Sequence, residues 1–360
     1  MKNILLFPVG FFFLTAPGYS QAPKYSNEFL AIGVGGRALG MSNASVASTG
    51  DVSSGYWNPA GLLSVKGDLQ ITAMHSNYMN GLSSFDYAAG ASHMDSTGVL
   101  AFSFVRFAVD NIPDTSELLE PDGSFNYDRI KSFSAADYAF LFSYAKHAKI
   151  PGLNYGVNAK VIRRKVGDFA GAWGFGLDAG IQYQWKKWRF GAMGRDVTGT
   201  FNAWSFNLPE SMKNTFAQTN NEIPENSLEI TTPKLILGVA SKYILKNHFS
   251  VYPEINLDMT FDGKRNVLIK SNVLSVDPHA GIELGYDELI FVRAGLGNIQ
   301  QSAGFDGNKT TLVQPAFGVG LRLKNLMVDY ALSNMGGQGG LPYSHIFSLK
   351  LDIYKNKKVK

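Results

Sequence analysis

The sequence predicts an all-β fold, a transmembrane antiparallel β-barrel of about 14 strands. Apolar and polar side chains alternate along many segments, and short and long connections alternate between those segments. Past residue 20, no apolar run approaches the ~18–20 residues that a spanning helix needs. Charged residues make up only 17% of the chain, aromatic residues 13%, and there are 38 glycines. This composition is typical of an outer-membrane barrel and argues against disorder.

The clearest strand covers residues 173–185, where every second side chain is apolar. The side chains between them are glycine or polar, and aromatic residues lie near both ends of the apolar row. Because successive side chains of a strand point to opposite faces, one face should contact lipid and the other a polar lumen. The expected lipid-facing residues include Trp173, Phe175, Leu177 and Ile181.

Thirteen further segments have the same character, which brings the predicted number of strands to 14. Single-chain bacterial barrels usually have an even number of strands. Glu254, Asn256 and Asp258 share one face of the ninth segment, and we expect them to line the lumen. The predicted strands are 68–75, 82–93, 97–108, 136–146, 153–165, 171–185, 188–198, 234–245, 249–262, 276–286, 289–298, 312–323, 326–333 and 344–354.

The connections support the same topology. Those after the even-numbered strands are short, and those after most odd-numbered strands are long, with exceptions at 76–81 and 166–170. Short periplasmic turns and long extracellular loops are the usual arrangement in such barrels. We therefore expect loops 109–135 and 199–233 at the cell surface and the turn at Lys186 and Lys187 in the periplasm.

The N-terminus resembles an export signal. Lys2 precedes an apolar stretch from Ile4 to Ala16, and small residues stand before an expected cleavage site after Ser20. The stretch is too short for a membrane-spanning anchor. The chain has no cysteine, which excludes disulfides, thiolate chemistry and a lipoprotein anchor. We assign residues 1–20 to a signal peptide, 68–354 to the barrel and 355–360 to a basic tail.

Composition and motifs favour a protein without catalytic activity. The net charge of +4 is spread along the chain, which does not fit a nucleic-acid-binding protein. None of the six histidines stands two or four residues from another, so no metal-chelating pair is visible. There is no nucleophile-elbow motif. The sequence predicts no catalytic residue, no metal site and no cofactor.

The two longest predicted loops are acidic. Loop 109–135 holds six acidic and two basic residues, and loop 199–233 holds four acidic and one basic residue. Ordinary solvated loops would account for this charge. The sharper hypothesis is that the loops bind a basic partner, because recognition often lies on long loops over a rigid scaffold. The candidate partner-binding residues are Asp110, Asp114, Glu117, Glu120, Glu222 and Glu225.

Residues 21–67 do not alternate and carry two motifs. The first runs from Arg37 to Ala47 as RALGMSNASVA, and the second runs from Tyr56 to Leu62 as YWNPAGL. The glycine-rich stretch before the first motif lacks the strand, helix and Gly-Lys-Ser/Thr ending of a phosphate-binding loop. In the second motif, proline restrains its own backbone and forces an extended conformation on the preceding asparagine, whose side chain can cap the turn. The residues of this turn are Asn58, Pro59, Ala60 and Gly61.

The two motifs resemble the N-terminal hatch of FadL-like outer-membrane barrels. Within that superfamily the chain is similar to the PorV/PorQ family of Bacteroidetes type IX secretion, with further similar stretches at 109–115, 260–266 and 276–281. The resemblance implies a 14-stranded barrel in the outer membrane of a Gram-negative bacterium. It also implies that residues 21–67 form a hatch in the lumen and that both mature termini are periplasmic.

The resemblance implies two alternative functions. PorV-type proteins bind the C-terminal sorting domains of secreted cargo beside the type IX translocon. FadL-type proteins pass long-chain fatty acids or other hydrophobic solutes through an opening in the barrel wall. From the sequence we expect a component of type IX secretion whose partners are the translocon or its cargo and the outer-membrane lipid. A FadL-like channel is the alternative, and the residues alone do not decide between them.

Overall fold

The computed structural model describes residues 26–78, 81–118, 120, 122–246, 248–303, 309–333 and 344–355. The expected signal peptide, and the expected basic tail apart from Lys355, lie outside these residues. Among the described residues, no helix is long and apolar enough to cross a membrane.

The described residues form one closed antiparallel sheet. The first and last segments pair, with Leu69 opposite Ile353, so the sheet has no open edge. The segments are β1 Leu69–Tyr78, β2 Ser83–His93, β3 Gly98–Asp114, β4 Lys131–His147, β5 Leu153–Val166, β6 Ala170–Trp185, β7 Trp188–Arg195, β8 Thr200–Phe206, β9 Ser227–Thr231, β10 Lys234–Ser241, β11 Tyr243–Leu245, β12 Phe249–Thr260, β13 Ile269–Lys270, β14 Ser275–Tyr286, β15 Ile290–Ala303, β16 Lys309–Leu323, β17 Leu326–Ser333 and β18 Ser344–Ile353.

These segments make a barrel of 14 strands, which confirms the predicted fold class. β7 and β8 are consecutive parts of the seventh strand, and both pair with β6. β9, β10 and β11 make up the eighth strand, because β9 pairs with β8, β10 pairs with β7, and β11 continues along β12. β13 is a short segment that pairs with the end of β14.

The two faces of the wall differ as the alternation predicted. In β6, Trp173, Phe175, Leu177 and Ile181 are each about half exposed, whereas Asp178 is 3% exposed. In β12, Glu254 and Asn256 are buried on the inner face, while Ile255 between them is exposed. The apolar outer surface is the one that a bilayer would cover.

The barrel has one end with short turns and one with long loops. The short-turn end carries the connections that follow β2, β4, β6, β11, β14 and β16, together with the start of β1 and the end of β18. The long-loop end carries the long connections that follow β3, β8 and β12 and the shorter ones that follow β1 and β5.

Both acidic loops are shorter than predicted. β3 extends to Asp114 and β4 begins at Lys131, so Asp110 and Asp114 belong to a strand and the loop covers 115–130. Residues 199–233 include β8, the helix α3 (Glu210–Gln218) and β9. The prediction failed here because a strand above the bilayer has water on one face and needs no lipid-facing apolar row, so the period-two signal fades while backbone pairing continues.

Residues 26–65 form a compact N-terminal segment of short helices. It contains the 3₁₀ helices Glu28–Ala31 and Pro59–Ser64 and the short α-helices α1 (Gly36–Gly40) and α2 (Ser54–Trp57). A further 3₁₀ turn, Tyr127–Arg129, lies in the loop before β4. Most side chains of the N-terminal segment are buried, and they pack against inward-facing residues of β1 to β5, β17 and β18.

Hydrogen bonds reach the N-terminal segment from all around the wall. Asn158 of β5 donates to the Gly55 carbonyl at 2.8 Å, and Gln182 of β6 donates to the Thr49 carbonyl at 2.9 Å. From the opposite side, the Ser348 hydroxyl of β18 accepts from the Gly36 amide at 2.9 Å. Partners on both sides of the barrel place the segment among the side chains that face the lumen.

Glycines of the wall allow this close contact. A Cβ atom added at Gly295 would lie 2.3 Å from the Met41 carbonyl carbon, and one at Gly180 would lie 2.2 Å from Asn58 Oδ1. Any larger residue at these positions would displace the N-terminal segment. The glycine-rich lumen face therefore reflects packing against this segment, in addition to the polarity that the sequence indicated.

Candidate functional site

The Asn-Pro-Ala-Gly turn anchors the N-terminal segment to β6. Asn58 has an extended backbone (φ −164°, ψ 105°), and Pro59 begins the following 3₁₀ helix. The Asn58 side chain is fully buried; its Oδ1 accepts from the Ala60 amide at 3.2 Å, and its Nδ2 donates to the Ile181 carbonyl at 3.0 Å. One side chain thus caps its own turn and binds the barrel wall.

A buried charge network joins α1 to the opposite wall. Arg37 of α1 pairs with Glu283 of β14 at 3.0 Å. Arg293 of β15, 2% exposed, pairs with the same Glu283 at 2.6 Å and with Asp329 of β17 at 2.6 Å. Breaking such a buried pair by removing one partner typically costs about 3–5 kcal/mol. The network therefore fixes the position of α1 strongly.

A second buried cluster lies where the seventh strand is interrupted. Lys160 of β5 is 4% exposed and pairs with Asp178 of β6 at 2.7 Å and with Asp196 at 2.5 Å. Asp196 is the first residue after β7. Its backbone amide donates to Asp178 at 2.9 Å. The cluster holds the chain at the point where it leaves the regular sheet.

The wall is irregular between the seventh and eighth strands. Pairing of β7 with β10 ends at Arg195 opposite Lys234, and pairing of β8 with β9 begins at Thr200 opposite Thr231. Residues 196–199 therefore face only residues 232–233, and the ladder between the two strands is broken. We call this region the wall break. On its other side, the Val197 amide still donates to the Leu177 carbonyl of β6 at 2.9 Å.

Two cavities lie at the long-loop end of the lumen. One has a volume of about 380 Å³ and is lined by Trp57, His279 and Asn256, among others. The other, of about 70 Å³, lies beside the wall break and is lined by Asp196, Thr231 and Thr232. Both are bounded by Glu28, Ala31 and Arg195. These shared residues place the small cavity next to the large one.

A third cavity, of about 500 Å³, lies at the short-turn end. It is lined by turn residues such as Lys187 and Lys324, and by Arg37, Gly50 and Asp51 of the N-terminal segment. The cavities at the two ends share no lining residue of the N-terminal segment. This segment therefore lies between them, across the axis of the barrel.

The large long-loop cavity is mostly polar, and its charge is balanced. Three acidic residues (Glu28, Asp258 and Asp277) and three basic residues (Arg195, Lys234 and Arg265) line it. His279 lies 3.6 Å from Asp277 and 3.9 Å from Asp258. Apolar side chains are fewer and include Ile32, Trp57 and Ile236.

The described residues show no group of three or more acidic, histidine or cysteine side chains arranged to hold a metal ion.

The acidic loop residues are only partly brought together. Glu117 pairs with Lys131 at 2.9 Å, and Glu120 pairs with Arg129 at 3.0 Å, so part of the charge is neutralised within the loop. Thr215 of α3 donates to the Ser116 carbonyl at 3.0 Å and joins the two loops.

Of the other acidic candidates, Asp114 lies next to these pairs, opposite Lys131 in the pairing of β3 with β4. Asp110 and Asp114 lie on β3, and Glu222 and Glu225 are exposed after α3. The binding of a basic partner by these six residues stays a prediction.

The sequence analysis did not identify the charged residues that form ion pairs inside the barrel. Arg37, Lys160, Glu283 and Arg293 were not among the candidates, although three of them stand on the inward face of predicted strands. The sequence signal that could have identified them is a single charged residue within a predicted transmembrane strand. Which charges pair could not be read, because the partners are far apart in the chain.

The sequence matches no protein-family model, and no curated protein matches it. Among solved structures, the chain resembles the toluene transporter TbuX of Ralstonia pickettii, with 13% identity, a TM-score of 0.52, and coverage of 89% of this chain and 99% of that chain. It resembles the CymD monoaromatic hydrocarbon channel, with 13% identity, a TM-score of 0.56, and coverage of 90% and 98%. It also resembles the toluene transporter TodX of P. putida, with 11% identity, a TM-score of 0.55, and coverage of 90% and 99%.

At such low identity these likenesses show the fold. They extend over 89–90% of this chain and over 98–99% of each compared chain. The role in type IX secretion that the sequence resemblance implied draws no support from them.

Proposed function

We propose that the chain is an outer-membrane channel for hydrophobic solutes, the alternative that the FadL-like motifs implied. The observation that carries this proposal is the wall break beside a lumen crossed by the N-terminal segment. The apolar outer surface of the barrel suits a bilayer. The fold shared with transporters and channels for toluene and monoaromatic hydrocarbons supports the same class of function.

In this proposal the N-terminal segment acts as a hatch that closes the axis of the barrel. A solute enters the cavity at the long-loop end and meets the buried surface of the hatch, including Trp57. The smaller cavity continues from there to Thr231 and Thr232 at the wall break. Because the ladder is broken there, the wall can open toward lipid without disrupting paired strands. A hydrophobic solute then avoids crossing the charged lumen on the other side of the hatch.

The polar lining of the large cavity bears on the choice of solute. A pure hydrocarbon would gain little from Asn256, Asp277 or His279, whereas a hydrophobic molecule with one polar group could bind Trp57 and Ile236 with its apolar part. The proposal therefore favours amphipathic molecules, including fatty acids, over simple hydrocarbons.

Type IX secretion is the competing hypothesis, and it rests on the sequence resemblance alone. The acidic loop residues that would bind a partner are partly neutralised by Lys131 and Arg129. The channel hypothesis uses the lumen, whereas the secretion hypothesis uses only the outer loops. The two can therefore be separated by a change inside the barrel.

The test is uptake by cells of a deletion strain that express the wild-type or a variant chain. Thr232→Trp places a large side chain in the small cavity beside the wall break and should abolish uptake of labelled oleate. Thr219→Trp, at the exposed end of α3, is the control and should not change uptake. Surface display of secreted proteins is measured in the same strains. Normal uptake in the deletion strain together with lost surface display would favour secretion and refute the channel.

A further inference from the structure

The cavity at the short-turn end carries an unusual excess of positive charge. Nine basic and four acidic side chains line it, a net charge of +5, whereas the whole chain has a net charge of +4. The large cavity at the other end is balanced. The basic residues are Arg37, Lys66, Lys186, Lys187, Arg189, Lys242, Arg322, Lys324 and Lys350, and the acidic ones are Asp51, Glu283, Glu288 and Asp352.

Four of the nine cations are paired with carboxylates of the cavity. Arg37 pairs with Glu283 at 3.0 Å, and Lys350 pairs with Asp51. Glu288, in the turn before β15, pairs with Lys242 at 2.6 Å and with Arg322 at 3.6 Å. The hydrogen bond from Lys242 is the main reason why the pKa of Glu288 is lowered, so this carboxylate is ionised and already occupied.

The other five cations form no close ion pair with a carboxylate among the described residues, although the charge of Lys66 also helps to lower the pKa of Glu288. They are Lys66, Lys186, Lys187, Arg189 and Lys324. Lys187 instead lies over the Tyr243 ring, with its Nζ 4.5 Å from the ring centroid, and Lys186 lies over Trp185 at 5.2 Å. The aromatic contacts restrict the positions of these lysine side chains but do not neutralise their positive charge.

These cations come from separate parts of the barrel. Lys66 precedes β1, Lys186 and Lys187 form the turn before β7, Arg189 lies on β7, and Lys324 lies in the turn before β17. Like charges gathered around one concave space repel each other, and low-dielectric walls strengthen their combined field. Such an arrangement is stabilised when a negatively charged ligand enters.

We propose that this cavity, lined by Lys66, Lys187, Arg189 and Lys324, binds a ligand with two or more negative charges on phosphate oxygens. Its volume of about 500 Å³ falls within the usual ~300–1,000 Å³ of small-ligand sites. Ammonium and guanidinium groups together suit phosphate oxygens, since lysine acts as a point charge and arginine as a planar fork. The source is either a soluble phosphorylated molecule or the headgroup of an anionic lipid. The site lies on the far side of the N-terminal segment from the wall break and does not depend on the transport proposal.

The test uses the purified barrel in nanodiscs of zwitterionic lipid and inorganic tripolyphosphate as the probe. Binding is measured by calorimetry at low salt. The wild type should bind, and Lys187→Gln/Lys324→Gln should weaken the affinity about tenfold, because two charge contacts to the probe are lost. Lys146→Gln/Lys149→Gln removes the same charge near the same end but outside the cavity, and should leave the affinity unchanged.

Two results would overturn the proposal. One is a wild type that does not bind tripolyphosphate, and the other is an equal loss of affinity in both double variants, which would indicate diffuse surface charge. Repeating the titration in nanodiscs that contain cardiolipin, whose headgroup carries two phosphate charges, identifies the source. Competition by this lipid, absent in Lys187→Gln/Lys324→Gln, supports the site with a headgroup as the ligand, and unchanged binding supports it with a soluble ligand.

Discussion

At the scale of single residues, position on the wall decides how a substitution acts. Leu177 is 47% exposed on the outer face of β6, whereas its neighbour Gly176 faces inward. From the sequence, Gly176→Ser would be the milder of two changes at this point. In the structure, a Cβ atom at Gly176 would lie only 1.9 Å from the Thr200 hydroxyl, so a serine would clash with β8. Gly176→Ser is therefore not a neutral reference for a lipid-face substitution.

We expect the cost of an arginine on the outer face of β6 to depend on depth. Leu177→Arg, near the middle of the strand, should destabilise the barrel by about 2–4 kcal/mol, and Trp185→Arg, at its end, by about 0–1 kcal/mol. The measurement is the free energy of unfolding in lipid vesicles, from guanidinium titration of each variant. Equal costs at both positions would mean that Leu177 does not lie at the depth of the hydrocarbon core.

At the scale of elements, the N-terminal segment and the wall are one packed unit. Asn58 binds β6, Arg37 binds β14, and Gly36 binds β18. Since the segment is attached on several sides, displacing it would break several buried interactions at once. A path through the wall break avoids this cost, which is why the proposed route leaves the segment in place.

A disulfide cross-link between the N-terminal segment and the wall tests that route. Because the chain has no native cysteine, only the two introduced cysteines can form a disulfide within it. A Cβ atom at Gly55 of α2 would lie 3.8 Å from the Ser143 Cβ of β4, the mean separation in disulfides. Gly55→Cys/Ser143→Cys should therefore oxidise readily. Oleate uptake in cells should stay near the wild-type rate, because the solute passes through the wall. The reduced protein is the matched control. Uptake that stops on oxidation and returns on reduction would show that the segment must move.

At the scale of the whole molecule, charge differs between the two ends. The short-turn end has a cavity with an excess of cations, and the long-loop end carries the acidic residues around Glu117 and Glu222. Short turns with long loops opposite are typical of barrels whose turns face the periplasm. We therefore propose that the short-turn end, with the end of β18, lies on the periplasmic side, whereas Ser26, the first described residue, lines the small cavity at the long-loop end.

Cysteine labelling tests this orientation. A cysteine at Ser116 or Asn220, both in long loops, should react with an impermeant maleimide on intact cells. A cysteine at Lys187, in a short turn, should react only after the outer membrane is permeabilised. Equal labelling of all three in permeabilised cells controls for reactivity. Labelling at position 187 alone on intact cells would invert the orientation.

The amino-acid pattern was sufficient to predict the strands of the barrel wall. The alternation over residues 173–185 predicts a strand with lipid on one face. Alternation is a local property of the backbone, so this prediction needs no knowledge of distant residues. The same holds for the turn at Asn58 and Pro59, whose geometry follows from proline's restricted backbone. Strand ends beyond the bilayer, such as Asp114, were not predicted, because no apolar face distinguishes them from loops.

Which residues meet inside the barrel was determined only by the tertiary structure. Arg37 lies 246 residues from Glu283, and Lys160 lies 36 residues from Asp196, so no local pattern could pair them. The wall break arises from unequal numbers of residues in two strands between paired positions, 196–199 against 232–233, and only the register reveals this difference. The cationic cavity likewise depends on closure of the barrel, which brings together Lys66, Lys187 and Lys324 from distant parts of the sequence. Long-range pairing of strands sets these positions, and it is invisible to a reading of neighbouring residues.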